Sequence, residues 1–331
     1  MLLQHTRKIL LAIFLNCFLH SKAQEYYGME HLKFLKSISL DKVRGKIGNI
    51  DCNLKDTILY IPAYDNNSIE VIDLQNGKLF CSIANAKKPT SICYIPETEE
   101  IFVATGTNNC YFYSTKSFQR ITTFHLMSHS DPVLYDSADR IIYVGYGEEG
   151  IAMISPTTHK KKGFLPLYTR PAGLKIDKGN NSLYTNLPEA STTLTVDLKE
   201  WLMGRKWQSD NLLADPLDVD TITHRVFIAY RKPSMLVVID RKTGRKIKLS
   251  SKIETIESIH YDHSSHKIYI SGDGSVNIFQ ESAKGFIQIA NIKTYSGASK
   301  SFLFLPLKIY VIVKEAQLNQ KAELLVYGLA E

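Results

Sequence analysis

Cysteine is scarce and unevenly placed. There are five in 331 residues, and past Cys17 only Cys52, Cys81, Cys93 and Cys110, all in the first third of the chain. Small disulfide scaffolds are far denser, so no cystine framework is expected. Long apolar runs are also few. Ile9 to Leu19 is too short to span a bilayer, and Phe302 to Val313 is broken by Pro306 and Lys308, so no membrane span follows from either. An excess of one charge sign is missing once the N-terminus is set aside. Residues 1–23 carry Arg7, Lys8 and Lys22 and no acid, and without them the formal charge falls from +7 to +4. A domain of that size and charge has no electrostatic mandate for nucleic acid.

What is present begins with a targeting segment. Arg7 and Lys8 form a basic region, Ile9 to Leu19 an apolar one, and Ser21-Lys22-Ala23 a small-x-small cleavage site. A signal peptide over 1–23 is predicted, with the mature protein starting at Gln24 and reaching the periplasm or the exterior. The remainder, 24–331, reads as one domain. A hydrophobic fraction of 44% and a charged fraction of 22% describe a globular chain. Eighteen Tyr and fourteen Phe favour strands, where aromatics pack well on a pleated surface.

A repeat then fixes the architecture. Leu59-Tyr60-Ile61, Ile101-Phe102-Val103, Ile142-Tyr143-Val144, Leu183-Tyr184-Thr185, Val226-Phe227-Ile228, Ile268-Tyr269-Ile270 and Ile309-Tyr310-Val311 recur with aromatic steps of 42, 41, 41, 43, 42 and 41 residues. Turn-rich segments such as Pro96-Glu97-Thr98-Glu99 precede these runs, and second apolar runs such as Ile69-Glu70-Val71-Ile72-Asp73 follow them. Continuous apolar runs rather than clean alternation mean strands covered on both faces. The spacing is that of a four-stranded antiparallel blade, as in WD40-like repeats, and seven copies predict an all-β, seven-bladed β-propeller. Gly77 and Gly244 are expected in the hairpins between third and fourth strands, where positive φ is needed. Only 21 residues follow Tyr310, too few for a whole blade, while Leu32 to Leu40 is a spare strand upstream. That strand is predicted to complete the last blade and leave no open edge.

With these residues in view, the chain resembles the YVTN-repeat β-propellers and, within them, the exported YncE-like proteins. The matching stretches are Asn66-Asn67-Ser68-Ile69-Glu70-Val71-Ile72-Asp73, Tyr143-Val144-Gly145-Tyr146-Gly147, Arg231-Lys232-Pro233 and Tyr269-Ile270-Ser271-Gly272-Asp273-Gly274. The likeness runs over essentially the whole mature chain. It implies a periplasmic, secreted or surface-associated propeller in a family that mostly lacks an assigned reaction. Relatives often carry Asp-His where this chain has Gly48-Asn49, so no metal or acid–base role is carried over to that pair.

Motifs of chemistry are few. Gly145-Tyr146-Gly147-Glu148-Glu149-Gly150 spells a dinucleotide fingerprint, but a strand rather than a helix follows and the glutamates would repel phosphate. His260, His263 and His266 read as parts of a strand and a solvent-facing turn rather than a metal site. Trp201 and Trp207 read as packing residues. Nucleophile elbow, zincin helix and P-loop are all missing. Cys93 and Cys110 fall on the first and third strands of one blade, about 9 to 10 Å apart, beyond the reach of a disulfide.

A dispersed site is the remaining option, since propellers gather single residues from several blades. The loops before first strands and those between second and third strands share one rim. On it Arg44, Lys46, Tyr146, Arg170, Arg231, Lys232 and Asp273 are the candidate binding residues, with no catalytic residue, metal ligand or cofactor assigned. Arg offers bidentate donors and Tyr a stacking face, so a small anion, a saccharide or an envelope protein is the expected partner of a monomeric, non-catalytic module. Two alternatives stay open: a metal-dependent lactonase-like or hydrolase-like enzyme with a central-channel site, and a nucleic-acid-binding propeller.

Overall fold

A computed structural model describes residues 30–318 and 320–330. The predicted signal peptide and the Gln24 start lie outside the described residues. Seven four-stranded antiparallel sheets form the ring, six of them built from four strands paired in sequence order. The first strands are Asp51–Asn53, Pro89–Ile95, Ser130–Asp136, Ala172–Asp177, Leu212–Asp220, Ser258–Asp262 and Ala298–Phe304. They stand innermost, around an axial channel. The seventh sheet is completed by Leu32–Leu40, which pairs antiparallel with Ala322–Leu329 from Leu32↔Leu329 to Leu40↔Ala322. The predicted closure is therefore observed.

The repeated aromatics explain why each blade is a sheet buried on both faces. All seven lie in second strands and none is more than 2% exposed. Tyr143, for example, pairs with Leu134 on one side and Met153 on the other. The apolar residues form seven clusters, and each sits between two neighbouring blades. Tyr60, Val71, Ile92 and Tyr111 join blades 1 and 2, while Ile38, Leu40, Ile61, Val311 and Leu324 join blades 7 and 1. Each buried aromatic or branched side chain contributes about 1.5–3 kcal/mol by leaving water. Cohesion is thus distributed around the ring.

Local chemistry sets the turns. At the end of five first strands, Asn53, Asp136, Asp177, Asp220 and Asp262 accept backbone N–H groups of the turn that follows. Asp73, Asp197 and Asp240 do the same at the end of third strands. Short polar side chains that mimic a backbone acceptor close such turns at little cost. Gly77 and Gly244 adopt φ of 65° and 74°, in the hairpins where left-handed backbone was expected. Gly48 serves a different need: a Cβ there would lie 2.2 Å from the Thr90 carbonyl oxygen. Blades 1 and 2 meet backbone to backbone at this point, where the Asn49 N–H donates to the Thr90 carbonyl at 2.8 Å.

Cys52, Cys93 and Cys110 are buried, Cys81 is half-buried, and all four are free thiols. Trp207 stacks on Tyr184 and Trp201 packs against Tyr143. Of the fingerprint-like glycines, Gly145 lies in the strand Ile141–Tyr146, Gly147 in the turn after it, and Gly150 opens the strand Gly150–Ile154, so no helix follows. No helix among the described residues is long and apolar enough to cross a membrane.

Candidate functional site

The channel between the first strands encloses a cavity of about 840 Å³. Its two ends differ. At one end lie the loops leading into the first strands, here called approach loops, together with those between second and third strands. Backbone bonds tie the two sets together: Tyr64 N–H to Lys46 O, Gly106 N–H to Lys88 O, and Gly147 N–H to His129 O. This is the rim inferred from sequence.

Inside that mouth, ionisable groups from several blades converge. Arg231 Nη2 stands 3.0 Å from both Asp215 Oδ2 and Glu257 Oε1. Lys300 Nζ lies 3.1 Å from Glu257 Oε2. Asn49 Nδ2 donates to Asp131 Oδ1 at 3.2 Å, and Glu315 accepts the Ile47 N–H at 3.0 Å. Burial pushes the Asp131 carboxyl up to about 7, with Asp215 adding to the rise and Lys300, Arg170 and Asn49 opposing it. Burial alone would lower Lys300, yet Glu257, Asp215 and Asp131 hold its ammonium above the usual range. Glu315 is raised by burial, restrained by the Ile47 bond and by Lys300.

Deeper in the channel, Lys175 Nζ meets Asp218 Oδ1 at 3.1 Å, and Asp218 Oδ2 accepts the Tyr261 N–H. Asp51 accepts the Tyr94 N–H at 2.8 Å, and burial lifts it to about 6. Burial, then Lys175, brings His260 down to about 4, and its Nε2 lies 3.0 Å from the Ser301 carbonyl. A carbonyl only accepts, so Nε2 carries the proton of a neutral ring. Cys52 and Cys93 also line the wall, and burial raises both thiols far above neutrality. Thiols in that state are inert.

The residues expected from sequence are all on this rim, but their side chains are differently engaged. Arg44, Lys46, Lys232 and Asp273 are exposed. Arg44 donates to the carbonyls of Asp41 and Val43. Tyr146 is only 3% exposed and packs on Phe164 between blades 2 and 3, so it offers no stacking face. Arg170 Nε is 3.3 Å from Glu189, and Arg231 already serves two carboxylates. A joint grip of Arg170 and Arg231 on one anion would have to break these pairs first. His263 and His266 lie in the opposite turn, where His266 is 3.2 Å from the Tyr261 hydroxyl. Among the described residues no group of three or more His, Cys, Asp or Glu could hold a metal ion.

Sequence reading missed Asp131, Asp215 and Glu257 as mouth residues. The signal was available, because each stands twelve residues before its blade's aromatic anchor, Tyr143, Phe227 or Tyr269. A common repeat phase means a common height in the ring.

The rim charges are also segregated. Loop residues 126–131, 146–150, 167–172, 187–192 and 209–215 and the turn 231–234, around blades 3 to 5, hold Asp131, Glu148, Glu149, Glu189, Asp210 and Asp215 against Arg170, Arg231 and Lys232. Around blades 7, 1 and 2 stand Lys42, Arg44, Lys46, Lys87, Lys88 and Lys321 against Asp41, Asp65 and Glu315.

No family model and no curated protein matches the sequence. Solved structures do match: a chain in a crystal structure of the mitotic checkpoint complex superposes with a TM-score of 0.77, covering 90% of this chain and 92% of its own at 11% identity. As many as 1777 solved chains are similar, so the architecture is common and selects no activity. The chain has the seven-bladed β-propeller fold.

Proposed function

We propose that this chain is an exported, non-catalytic β-propeller of the YVTN-repeat, YncE-like kind that acts as a binding module, seating a protein partner or a small ligand over the channel mouth. The observation that carries this reading is the mouth itself. Asp215, Glu257 and Lys300 line a cavity of about 840 Å³ and, with Arg231 beside them, hold one another in fixed ion pairs. Ion-paired side chains on rigid strands make a preorganised polar surface for recognition. Meanwhile the wall thiols are protonated, and His260 Nε2, which lies 3.3 Å from the Ser301 hydroxyl, gives its proton to the Ser301 carbonyl at 3.0 Å and so is not set as a base toward that hydroxyl. The leader-like residues 1–23 support export. The neighbour from a protein assembly supports a protein partner by fold analogy alone.

One observation favours a catalytic second reading. Asp131, near 7, lies in the range suited to general acid–base work. Turnover of lactones or esters abolished by Asp131→Asn would select it.

The direct test is native mass spectrometry of protein recovered from the exported fraction of its own cells. The expected species starts at Gln24 and carries a ligand or partner. That species is lost on Asp131→Asn/Asp215→Asn, with the fold kept by circular dichroism, and retained on His263→Ala/His266→Ala. A chain still starting at Met1, or a bound species lost only with the histidines, overturns the reading.

A further inference from the structure

We infer that the element recognised by this rim is a cationic, apolar segment of a partner protein, seated on the approach loops of blades 3 to 5 with a Lys or Arg side chain directed into the channel mouth beside Asp131 and Asp215. This deepens the binding-module reading and rests on it.

The apolar half of the argument comes from positions that the fold makes equivalent. The backbone N–H groups of Ala86, Leu126, Leu167, Ser209 and Thr294 each donate to the loop between second and third strands of the preceding blade. The residue that follows is solvent-facing in every case: Lys87, Met127, Tyr168, Asp210 and Tyr295. In blade 7 the Tyr295 ring already carries a cation, Lys314 Nζ at 5.1 Å from its centroid. Blades 2 and 5 thus fill this position with a charge, as a solvated site requires. Blades 3 and 4 fill it with Met127 and Tyr168, which are 81% and 85% exposed. Leu212 and Leu213 extend the same arc into blade 5 and are exposed too. Tyr168 and Leu213 hold φ of 55° and 59°, a left-handed conformation that bulky residues rarely adopt. Large side chains displayed at such cost mark an interaction surface.

The charge half comes from the same loops. Six acids stand there against Arg170, Arg231 and Lys232, in a protein whose formal charge without residues 1–23 is +4. Arg170 is already committed to Glu189, and Arg231 and Lys300 to Asp215 and Glu257. Asp131 is different. It accepts from Asn49, and among the described residues no Lys or Arg stands within ion-pair distance of it. An ammonium or guanidinium arriving from outside supplies that partner, and the apolar arc beside it covers the neighbouring residues of the same segment. An acidic peptide or a nucleic acid would be repelled here and would meet the opposite, basic sector instead.

The test is fluorescence anisotropy on the mature protein with three labelled peptides. One alternates Lys with Leu or Phe, the second replaces Lys with Glu, and the third replaces Leu and Phe with Ser. The first is expected to bind, with affinity falling as salt rises, and the other two to bind at least roughly tenfold more weakly, the loss of a central contact. Met127→Ser/Tyr168→Ser and Glu148→Lys/Glu149→Lys should each weaken the first peptide by a similar factor, whereas Lys87→Ser/Lys88→Ser should leave it unchanged. All six positions are solvent-facing, so melting curves should not move. No binding of the first peptide, equal binding of the Ser version, or tighter binding of the Glu version overturns the proposal. If the Glu version binds and Lys87→Ser/Lys88→Ser abolishes it, the rim reading stands and this inference falls. Binding lost only on His263→Ala/His266→Ala overturns both.

Discussion

Arg241, just past the third strand of blade 5, donates through Nη1 to Asp177, which ends the first strand of blade 4. The same guanidinium reaches the Tyr184 hydroxyl at 3.0 Å and His224 Nδ1 at 2.7 Å. Both charges are largely out of water, at 12% and 3% side-chain exposure. Removing one partner strands the other, which costs about 3–5 kcal/mol for a buried pair. Arg241→Ala should therefore lower the denaturation midpoint strongly, and Arg241→Ala/Asp177→Asn should recover part of the loss. A single variant as stable as the wild type would show the pair to be ornamental.

Closure gives a second expectation. Leu32, Ile38 and Leu40 are buried in the last blade and its seams with the neighbouring blades. Removing the residues up to Leu40 exposes a bare sheet edge along Ala322–Leu329 and uncovers that apolar seam. The truncated protein should aggregate or melt well below the mature form. Melting within a few degrees of the mature protein, the shift of about 1 kcal/mol in a large domain, would contradict the role assigned to this strand.

How much of this was legible in sequence depended on what repeats and what does not. The seven aromatics recur at one phase, so the ring and its clasp could be read before any coordinates. Tyr146, expected on the rim with the loop between second and third strands, is the last residue of the strand Ile141–Tyr146. Ile142, Val144 and Tyr146 alternate along one strand and face the same seam, so period-two reasoning already pointed the ring inward. Arg231 is another matter. Its carboxylate partners stand 16 residues before and 26 residues after it in the chain, and only the ring geometry brings them to one guanidinium.

Gly48 tests the departure from the Asp-His pattern. A side chain there meets the Thr90 carbonyl, and backbone cannot yield as a flexible side chain does. Gly48→Asp should cost about 1–3 kcal/mol, the usual range for overpacking. Urea denaturation measures it. An unchanged midpoint would mean that blades 1 and 2 separate freely at this point.

The mouth carboxyl makes stability depend on pH. Folded Asp131 keeps its proton up to about 7, whereas an unfolded aspartate loses it near about 3.9. Across that window the folded chain holds the extra proton, so this group's contribution falls as pH rises and is fully lost above about 7. His260, brought down to about 4, acts oppositely: the unfolded chain holds the extra proton, and stability rises with pH until about 6.5. Asp131→Asn removes the first slope alone. Its stability relative to wild type should grow between roughly pH 4 and pH 7, read as melting temperature at several pH values. A constant difference, or one that shrinks, would refute the assignment.

The separation of rim charges has a consequence for encounters in solution. Over residues 126–251 as a whole, Lys and Arg outnumber Asp and Glu by 18 to 14, so the acidic arc is local to the rim and does not turn the whole particle. Its field reaches a Debye length, about 8 Å at physiological salt, and acts only on a body already at the mouth. There a cationic segment settles toward the acidic arc and an anionic one toward the basic arc, whereas an approach from any other side of the molecule meets no such sorting.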